Sequence, residues 1–149
     1  MSATIEINDA LFAQMDRELA GLEMVARMPA IKTGMKAGVK VTETRYEDYV
    51  PRSTDRKEGK HLVETISSKV KEYPSGVVVS VIGAEYPAGA HAHLLEEGVE
   101  PHSIGEYEHP GFEGRHYLEA AVKDTESERD AAMLNGMKAA VEEAKRGAS

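Results

Sequence analysis

The 149-residue sequence contains no cysteine, no tryptophan and only two phenylalanines. The absence of cysteine excludes a disulfide framework, a thiolate zinc site and a cysteine nucleophile. Because large aromatic side chains are scarce, the core must be built from Val, Ile, Leu, Met and Ala with some of the six tyrosines. A partner subunit often completes a core of this composition, which favours an oligomer.

Long apolar runs are also missing. No window approaches the roughly 20 apolar residues needed to cross a bilayer. Residues 1–9 lack the basic start and apolar run of a signal peptide. We therefore expect a soluble protein with no membrane partner, made in the cytoplasm. Its length fits one domain spanning residues 1–149.

The common enzymatic motifs do not occur either. There is no Gly-x-Ser-x-Gly sequence, no phosphate-binding loop and no dinucleotide fingerprint. Glu96 and Glu97 are paired carboxylates, but adjacent residues seldom converge on one substrate atom. These absences favour a protein that is not an enzyme and needs no cofactor.

Charge is unevenly distributed. The formal net charge is -8, which disfavours tight general binding of DNA or RNA. Between Glu85 and Glu119 there are eight acidic residues and one basic residue, Arg115. Residues 29–61, in contrast, hold eight Lys or Arg and five acidic residues. The chain therefore has a mildly basic front and a strongly acidic middle.

Periodic apolar residues predict helices at both ends of the chain. The cap-forming pair Asn8 and Asp9 precedes an apolar stripe that predicts a helix over 9–27. Pro29 predicts a break, after which a second amphipathic helix runs to about 48. Turn formers and charge predict a loop over 50–60. Another stripe predicts a helix over 123–146, and Thr125-Glu-Ser-Glu is a possible capping box that marks a restart or kink.

The middle of the chain predicts β-structure. Residues 61–73 pass from a short helical turn into a strand, and Pro74-Ser-Gly76 makes a turn before the strand 77–83. This second strand is apolar on both faces, so we expect it to lie centrally or under helices. The fold class is α+β, with two N-terminal helices, a small antiparallel sheet built on a hairpin, a short helix, a long acidic loop and a C-terminal helix.

A histidine cluster offers the main chemical alternative. Imidazole and carboxylate groups are the ligands that zinc, nickel or iron would need in a chain without thiols. This alternative is a metal-binding protein or metal-dependent hydrolase that uses Glu96 or Glu100. The histidines in question are His91, His93, His102, His109 and His116. Their spacing matches no compact metal-binding template, and a solvated acidic loop with scattered histidines is the simpler explanation.

The order of short motifs along the chain resembles a known pattern. Two amphipathic helices are followed by Pro, Gly, Leu and Ile, a hairpin ending in Gly, an Ala-x-x-Leu-Glu-x-Gly segment and a Tyr-Leu-x-x-Ala opening of the last helix. The motif residues are Pro51, Gly59, Leu62, Ile66, Gly83, Ala92, Leu95, Glu96, Gly98, Tyr117, Leu118 and Ala121. This order resembles the tail-completion, or neck, family of long-tailed double-stranded DNA phages, of the lambdoid tail-component type, over nearly the whole chain.

The resemblance implies a non-enzymatic ring at the junction of phage head and tail, assembled in the host cytoplasm and retained in the virion. The implied partners are copies of the same chain and other neck and tail proteins, namely a tail terminator, the tail tube and head-closure proteins. Genomic DNA would pass through the ring without specific binding. In this family Glu96 would be structural, Gly98 would turn the chain after a helix over 87–97, and residues 99–116 would order against a neighbour.

A ring needs two different surfaces that meet, and the charges supply complementary candidates. We expect the interface to use the residues Lys32, Lys36, Lys40, Arg52, Arg56, Lys57, Glu96, Glu97, Glu100 and Arg115. A third hypothesis is a bacterial adaptor or toxin-antitoxin partner whose acidic loop mimics nucleic acid.

Overall fold

A computed structural model of the chain describes residues 2–5, 7–52 and 59–149. The helices are α1 (Asp9–Leu19), α2 (Met24–Tyr49), α3 (Ala92–Glu97), α4 (Tyr117–Asp124) and α5 (Glu126–Gly147), with a 3-10 turn at Leu62–Thr65. The strands are β1 (Ser2–Thr4), β2 (Ile66–Glu72), β3 (Val78–Ala84), β4 (Gly98–Val99), β5 (His102–Ile104), β6 (Tyr107–His109) and β7 (Phe112–Glu113). The fold is α+β, as predicted from the sequence.

The long helices α2 and α5 form the main helix pair. Gly34 and Gly38 of α2 lie against Met133 and Met137 of α5, and a Cβ atom on Gly34 would come within 2.6 Å of the Met133 carbonyl oxygen. Glycine at these positions allows the two backbones to approach closely. The methionines of α5 therefore fill the core against α2 within one chain.

The main sheet has the strand order β1-β3-β2, and both pairings are antiparallel. The predicted hairpin is confirmed, with Ile66 opposite Ala84 and Glu72 opposite Val78. The apolar strand β3 is central, as expected. Its buried residues Ser80 and Ile82 alternate with half-buried ones, because successive side chains of a strand point to opposite faces.

Two apolar clusters form the core. One lies between the sheet, the C-terminal half of α2 and the start of α4, and includes Tyr46, Ile82 and Leu118. The other lies between α1, the N-terminal half of α2 and α5, and includes Met15 and Met137. The second cluster relies strongly on methionine, as the scarcity of aromatic residues predicted.

The predicted boundary between the first two helices was wrong. The helix expected over 9–27 ends at Leu19, and α2 begins at Met24 and runs through Pro29. Proline is tolerated there because it lies near the start of the helix, where only the bond to the carbonyl of Val25 is lost. The chain turns instead at residues 20–23, where Arg27 Nε donates to the Leu22 carbonyl at 3.0 Å.

The C-terminal helical region begins earlier than predicted, at Tyr117, and is divided at Thr125. The restart was predicted, but Thr125 forms no capping box. Its buried hydroxyl donates its single hydrogen to the Ala121 carbonyl at 2.7 Å. The Thr42 hydroxyl, 2.8 Å away, must therefore donate to Thr125. A buried hydrogen bond between Thr42 and Thr125 therefore connects α2 to the point where α4 ends and α5 begins.

Two further corrections concern the middle of the chain. The helix expected over 87–97 is confined to Ala92–Glu97, after a series of turns. The segment expected as a long acidic loop contains the strands β4, β5, β6 and β7. Within the described residues, none of the helices combines the length and apolar character required to span a membrane.

Candidate functional site

The acidic segment is anchored at Glu96, where α3 and α4 meet. The Glu96 carboxylate is buried and accepts hydrogen bonds from the Leu118 amide at 2.9 and 3.0 Å. In return, the last carbonyls of α3 accept bonds from the amides of Arg115 and His116. The end of α3 and the start of α4 thus satisfy each other's unpaired backbone groups, as helix termini require.

Tyr46 of α2 closes this junction from the core side. Its side chain is fully buried. Burial, followed by the charge and hydrogen bond of Glu96, raises the pKa of Tyr46 well above its ordinary value. A carboxylate near the N-terminus of α4 also interacts favourably with the helix dipole. Glu96 therefore joins α2, α3 and α4 through one side chain.

Glycines allow the chain to leave this junction as a close-packed hairpin. Gly98 has φ 84°, and a Cβ atom there would come within 2.5 Å of both the Phe112 carbonyl oxygen and the Gly114 nitrogen. A Cβ atom on Gly114 would overlap the Glu96 carbonyl oxygen. The two strands consequently start in direct backbone contact with the end of α3.

Residues 98–113 form one antiparallel hairpin, which we call the arm. Gly98 pairs with Glu113, and the same register continues outward to Ile104 and Tyr107 at the tip. The ladder is interrupted only at residues 100–101 and 110–111, where two opposed prolines cannot donate backbone hydrogen bonds. The tip turn has Gly105 at φ 63°, as the first central position of a type II′ turn requires.

Side chains on the two faces of the arm reinforce the pairing. His102 and His109 stack across the strands with their ring centroids 4.9 Å apart. On the other face, the Ser103 hydroxyl donates to the Glu108 carboxylate at 2.6 Å. The arm is thus a defined β-structure, although its outer strands β5 and β6 contact chiefly each other.

The surface of the arm is both apolar and acidic. Three large apolar side chains are exposed on it: Ile104 (59%), Tyr107 (61%) and Phe112 (41%). The arm also carries four acidic residues and no Lys or Arg, the acids being Glu100, Glu106, Glu108 and Glu113. Exposed apolar side chains grouped on a projecting element are typical of interaction surfaces.

The predicted basic residues lie on a different part of the molecule. Lys32, Lys36 and Lys40 recur at helical spacing along α2. Lys32 pairs with Glu72 at 3.1 Å, and Lys40 pairs with Glu43. Lys36 and Arg52 are exposed. The two other predicted basic residues, Arg56 and Lys57, lie outside the described residues.

The acidic interface candidates do not share one environment. Glu96 is buried and belongs to the junction of α3 and α4, so it is not an exposed contact residue. Its neighbour Glu97 is exposed, as are Glu100 and Arg115. The structure therefore places three of these four predicted residues on the surface at the base of the arm.

The other motif residues mostly form the supports of the arm. Ala92, Leu118 and Ala121 are buried around the junction, and Tyr117 opens α4. The remaining motif residues lie elsewhere: Pro51 follows α2, Gly59 has φ 81°, Leu62 opens the 3-10 turn and Gly83 lies on β3.

The histidines do not converge. His91 precedes α3, and His93 on that helix bonds the Ala90 carbonyl through Nδ1 at 2.7 Å. His116 contacts Glu119 at 3.4 Å. Of the predicted ligands only His102 and His109 stack on each other. In the described part of the chain, no three His, Asp or Glu side chains are grouped so that they could hold a metal ion.

An apolar groove that the sequence did not predict lies between α1, α2 and the turn of the main hairpin. It has a volume of about 330 Å³, and its lining includes Phe12, Met28, Ile31 and Val78. Phe12 is 64% exposed although it neighbours the buried Leu11. An apolar residue outside the buried stripe of α1 is the sequence signal that identifies this groove.

Comparisons with known proteins leave the geometry as the main guide to function: the chain matches no protein-family model, and neither the curated proteins nor the solved structures provide a match.

Proposed function

We propose that this protein is a non-enzymatic structural protein of a phage or prophage tail, which assembles as a ring at the junction of tail and head. The observation that carries the proposal is the arm, an ordered hairpin that exposes Ile104, Tyr107 and Phe112. A projecting apolar element of this kind is suited to binding another chain. The motif order along the sequence directs the proposal to the phage neck.

The charge distribution supports assembly from identical copies. The arm carries four acidic residues and no basic residue, whereas residues 24–40 of α2 carry Arg27, Lys32, Lys36 and Lys40 and no acidic residue. Two different surfaces of opposite charge favour a head-to-tail contact, which closes into a ring when the rotation between copies closes. Opposite charge also guides the register of the contact.

The overall acidity suits a conduit for DNA. With a net charge of -8, the protein lacks the excess of cations that retains DNA by phosphate neutralisation. The expected partners beyond the ring are the tail terminator, the tail tube and head-closure proteins. In this account DNA passes through the ring without sequence-specific contacts.

Immunogold electron microscopy tests the proposal. Antibodies raised against the purified chain should label particles from an induced host that carries the gene, at the head-proximal end of the tail. Deletion of the gene should give separate heads and tails that the purified protein rejoins. A strain with an unrelated tail gene deleted provides the control for antibody specificity.

Two results would contradict the proposal. One is label distributed along the tail or absent from particles. The other is normal joining of heads and tails in the deletion strain. The histidine-based alternative is tested in the same protein by metal analysis without a histidine tag, because a bound stoichiometric metal would favour that alternative.

A further inference from the structure

We infer that the arm of one copy inserts its tip into the apolar groove between α1 and α2 of a second copy. This inference rests on the proposed function in one respect, because it assumes that the chain assembles with itself. It adds the two surfaces that meet and identifies the occupant of the groove.

The groove is an apolar surface that its own chain leaves open. Met28, Ile31 and Val78 line it, and Phe12 stands at its edge with 64% of its surface exposed. The adjacent residues Met24 and Val25, at the start of α2, are 81% and 80% exposed. Met24 and Val25 precede the lining residues Arg27 and Met28 by about one turn of the helix or less, so the start of α2 presents further exposed apolar side chains beside the groove.

The arm tip offers a matching insert. Ile104 and Tyr107 are directly opposite each other in the ladder, so their side chains lie on the same face of the hairpin. Both are more than half exposed. A groove of about 330 Å³ is at the small end of ligand pockets, which suits two side chains from a hairpin tip better than a whole helix.

Charge favours the same pairing. Glu106 and Glu108 flank Tyr107 at the tip, and Arg27 lies in the wall of the groove. Lys32 follows one turn after the lining residue Met28 but pairs with Glu72, so Arg27 is the cation of the groove wall. The groove wall also contains Asp16, so the attraction comes from the basic α2 side. We therefore expect the acidic tip to lie towards α2.

A second copy, not the same chain, must supply the arm. The arm leaves the body at the junction with Tyr46, whereas the groove lies near Met28, on the N-terminal half of α2. At 1.5 Å per residue these positions are roughly 27 Å apart along the helix. Ile104, Tyr107 and Phe12 are all exposed within one chain, so the arm does not occupy its own groove.

The test uses one variant of each surface and a mixing experiment. The double variant Ile104→Ser with Tyr107→Ser removes the insert, and Phe12→Asp spoils the groove. All three residues are exposed, so folding should be preserved. In light scattering over a concentration series, each variant alone should raise the assembly midpoint by at least about tenfold. Tyr86→Ser, at an 87% exposed tyrosine elsewhere, is the matched control and should assemble normally.

Mixing the two variants distinguishes an arm-to-groove contact from an arm-to-arm contact. The groove variant retains an arm, and the arm variant retains a groove, so together they should form a one-to-one complex that grows no further. With an arm-to-arm contact, the groove variant would associate with itself and the arm variant would not enter the complex. Circular dichroism of each variant checks that loss of assembly is not loss of folding.

Cysteine cross-linking supplies an independent readout, since the chain contains no native cysteine. The variant with Phe12→Cys and Tyr107→Cys should give a ladder of disulfide-linked multimers on oxidation, whereas each single variant should stop at dimers. Absence of the ladder, or normal assembly of Phe12→Asp, would overturn the inference. In that case labelling at the head-tail junction would still support the proposed function, so the two failures are distinguishable.

Discussion

Replacing Glu96 tests whether one buried carboxylate holds the base of the arm. Glu96→Ala removes both contacts to the Leu118 amide and leaves that amide buried without its partner. Loss of a hydrogen bond to a charged group costs about 1.5–3 kcal/mol, and loss of a carboxylate at a helix start adds about 0.3–1 kcal/mol. Release of the buried charge offsets part of this cost.

We therefore expect Glu96→Ala to lower the free energy of unfolding by about 2–4 kcal/mol, against typical totals of about 5–15 kcal/mol. The corresponding fall in Tm is about 4–16 °C for a chain of this size. Glu96→Gln keeps the shape and one acceptor oxygen, so its cost should be about 1–2 kcal/mol. Urea and thermal unfolding followed by circular dichroism measure both variants.

The neighbouring Glu97 provides the matched control, since it lies on the same helix but is exposed. Glu97→Ala should change the stability by less than about 0.5 kcal/mol, as is usual for surface positions. If Glu96→Ala were no less stable than Glu97→Ala, the junction would not depend on the carboxylate, and the explanation of how the arm is anchored would be refuted.

Three further predictions follow from buried or crowded positions. Ser80→Ala should leave the free energy of unfolding in urea unchanged or raise it by up to about 1 kcal/mol. The reason is that the Ser80 hydroxyl is buried with no hydrogen-bond partner in the described part of the chain. A clear loss of stability would show that the hydroxyl does have a partner. Gly114→Ala should lower the free energy of unfolding by more than about 1 kcal/mol, because the added Cβ atom overlaps the Glu96 carbonyl oxygen. Gly147→Ala is the control and should be neutral, because Gly147 lies in open space. Equal stabilities of the two variants would contradict the close contact at Gly114. The raised pKa of Tyr46 means that the unfolded chain ionises this tyrosine first, so stability should be lost as pH rises above about 10. Tyr46→Phe should therefore weaken this pH dependence. Comparison of the ultraviolet titrations of the two proteins should show that Tyr46 stays unionised while the chain is folded, and an ionised Tyr46 in the folded protein would contradict this.

The sequence predicted those elements whose apolar periodicity reflects burial on one face. The stripe of α1, the hairpin of β2 and β3 and the C-terminal helix are all signalled by residues that contact the core. The resemblance implied that Glu96 is structural and that Gly98 turns the chain. In the structure Glu96 accepts a hydrogen bond from the Leu118 amide, and Gly98 has a positive φ angle.

The errors occurred where local rules compete with tertiary contacts. Pro29 is a helix breaker by propensity, but near a helix start it removes only one bond, and α2 runs through it. The prolines and glycines of the acidic segment predict an irregular loop. In the structure those residues mark the interruptions and the turn of a hairpin, whose pairing between distant positions is not visible in local composition.

The groove could not be predicted from periodicity either. It is formed by side chains of α1, α2 and β3 that are close only in the folded chain. The sequence signal is limited to Phe12, which lies outside the buried stripe of its helix. The charge segregation between the arm and α2, in contrast, was visible in the sequence because both charge runs are continuous along the chain.

Native mass spectrometry and electron microscopy of the purified protein would show whether copies of this chain close into a ring. We expect one closed species of fixed copy number, with a central opening, that forms as concentration rises and is indifferent to a chelator. A protein that stays monomeric at every concentration, or a small oligomer that dissociates when a chelator is added, would contradict it.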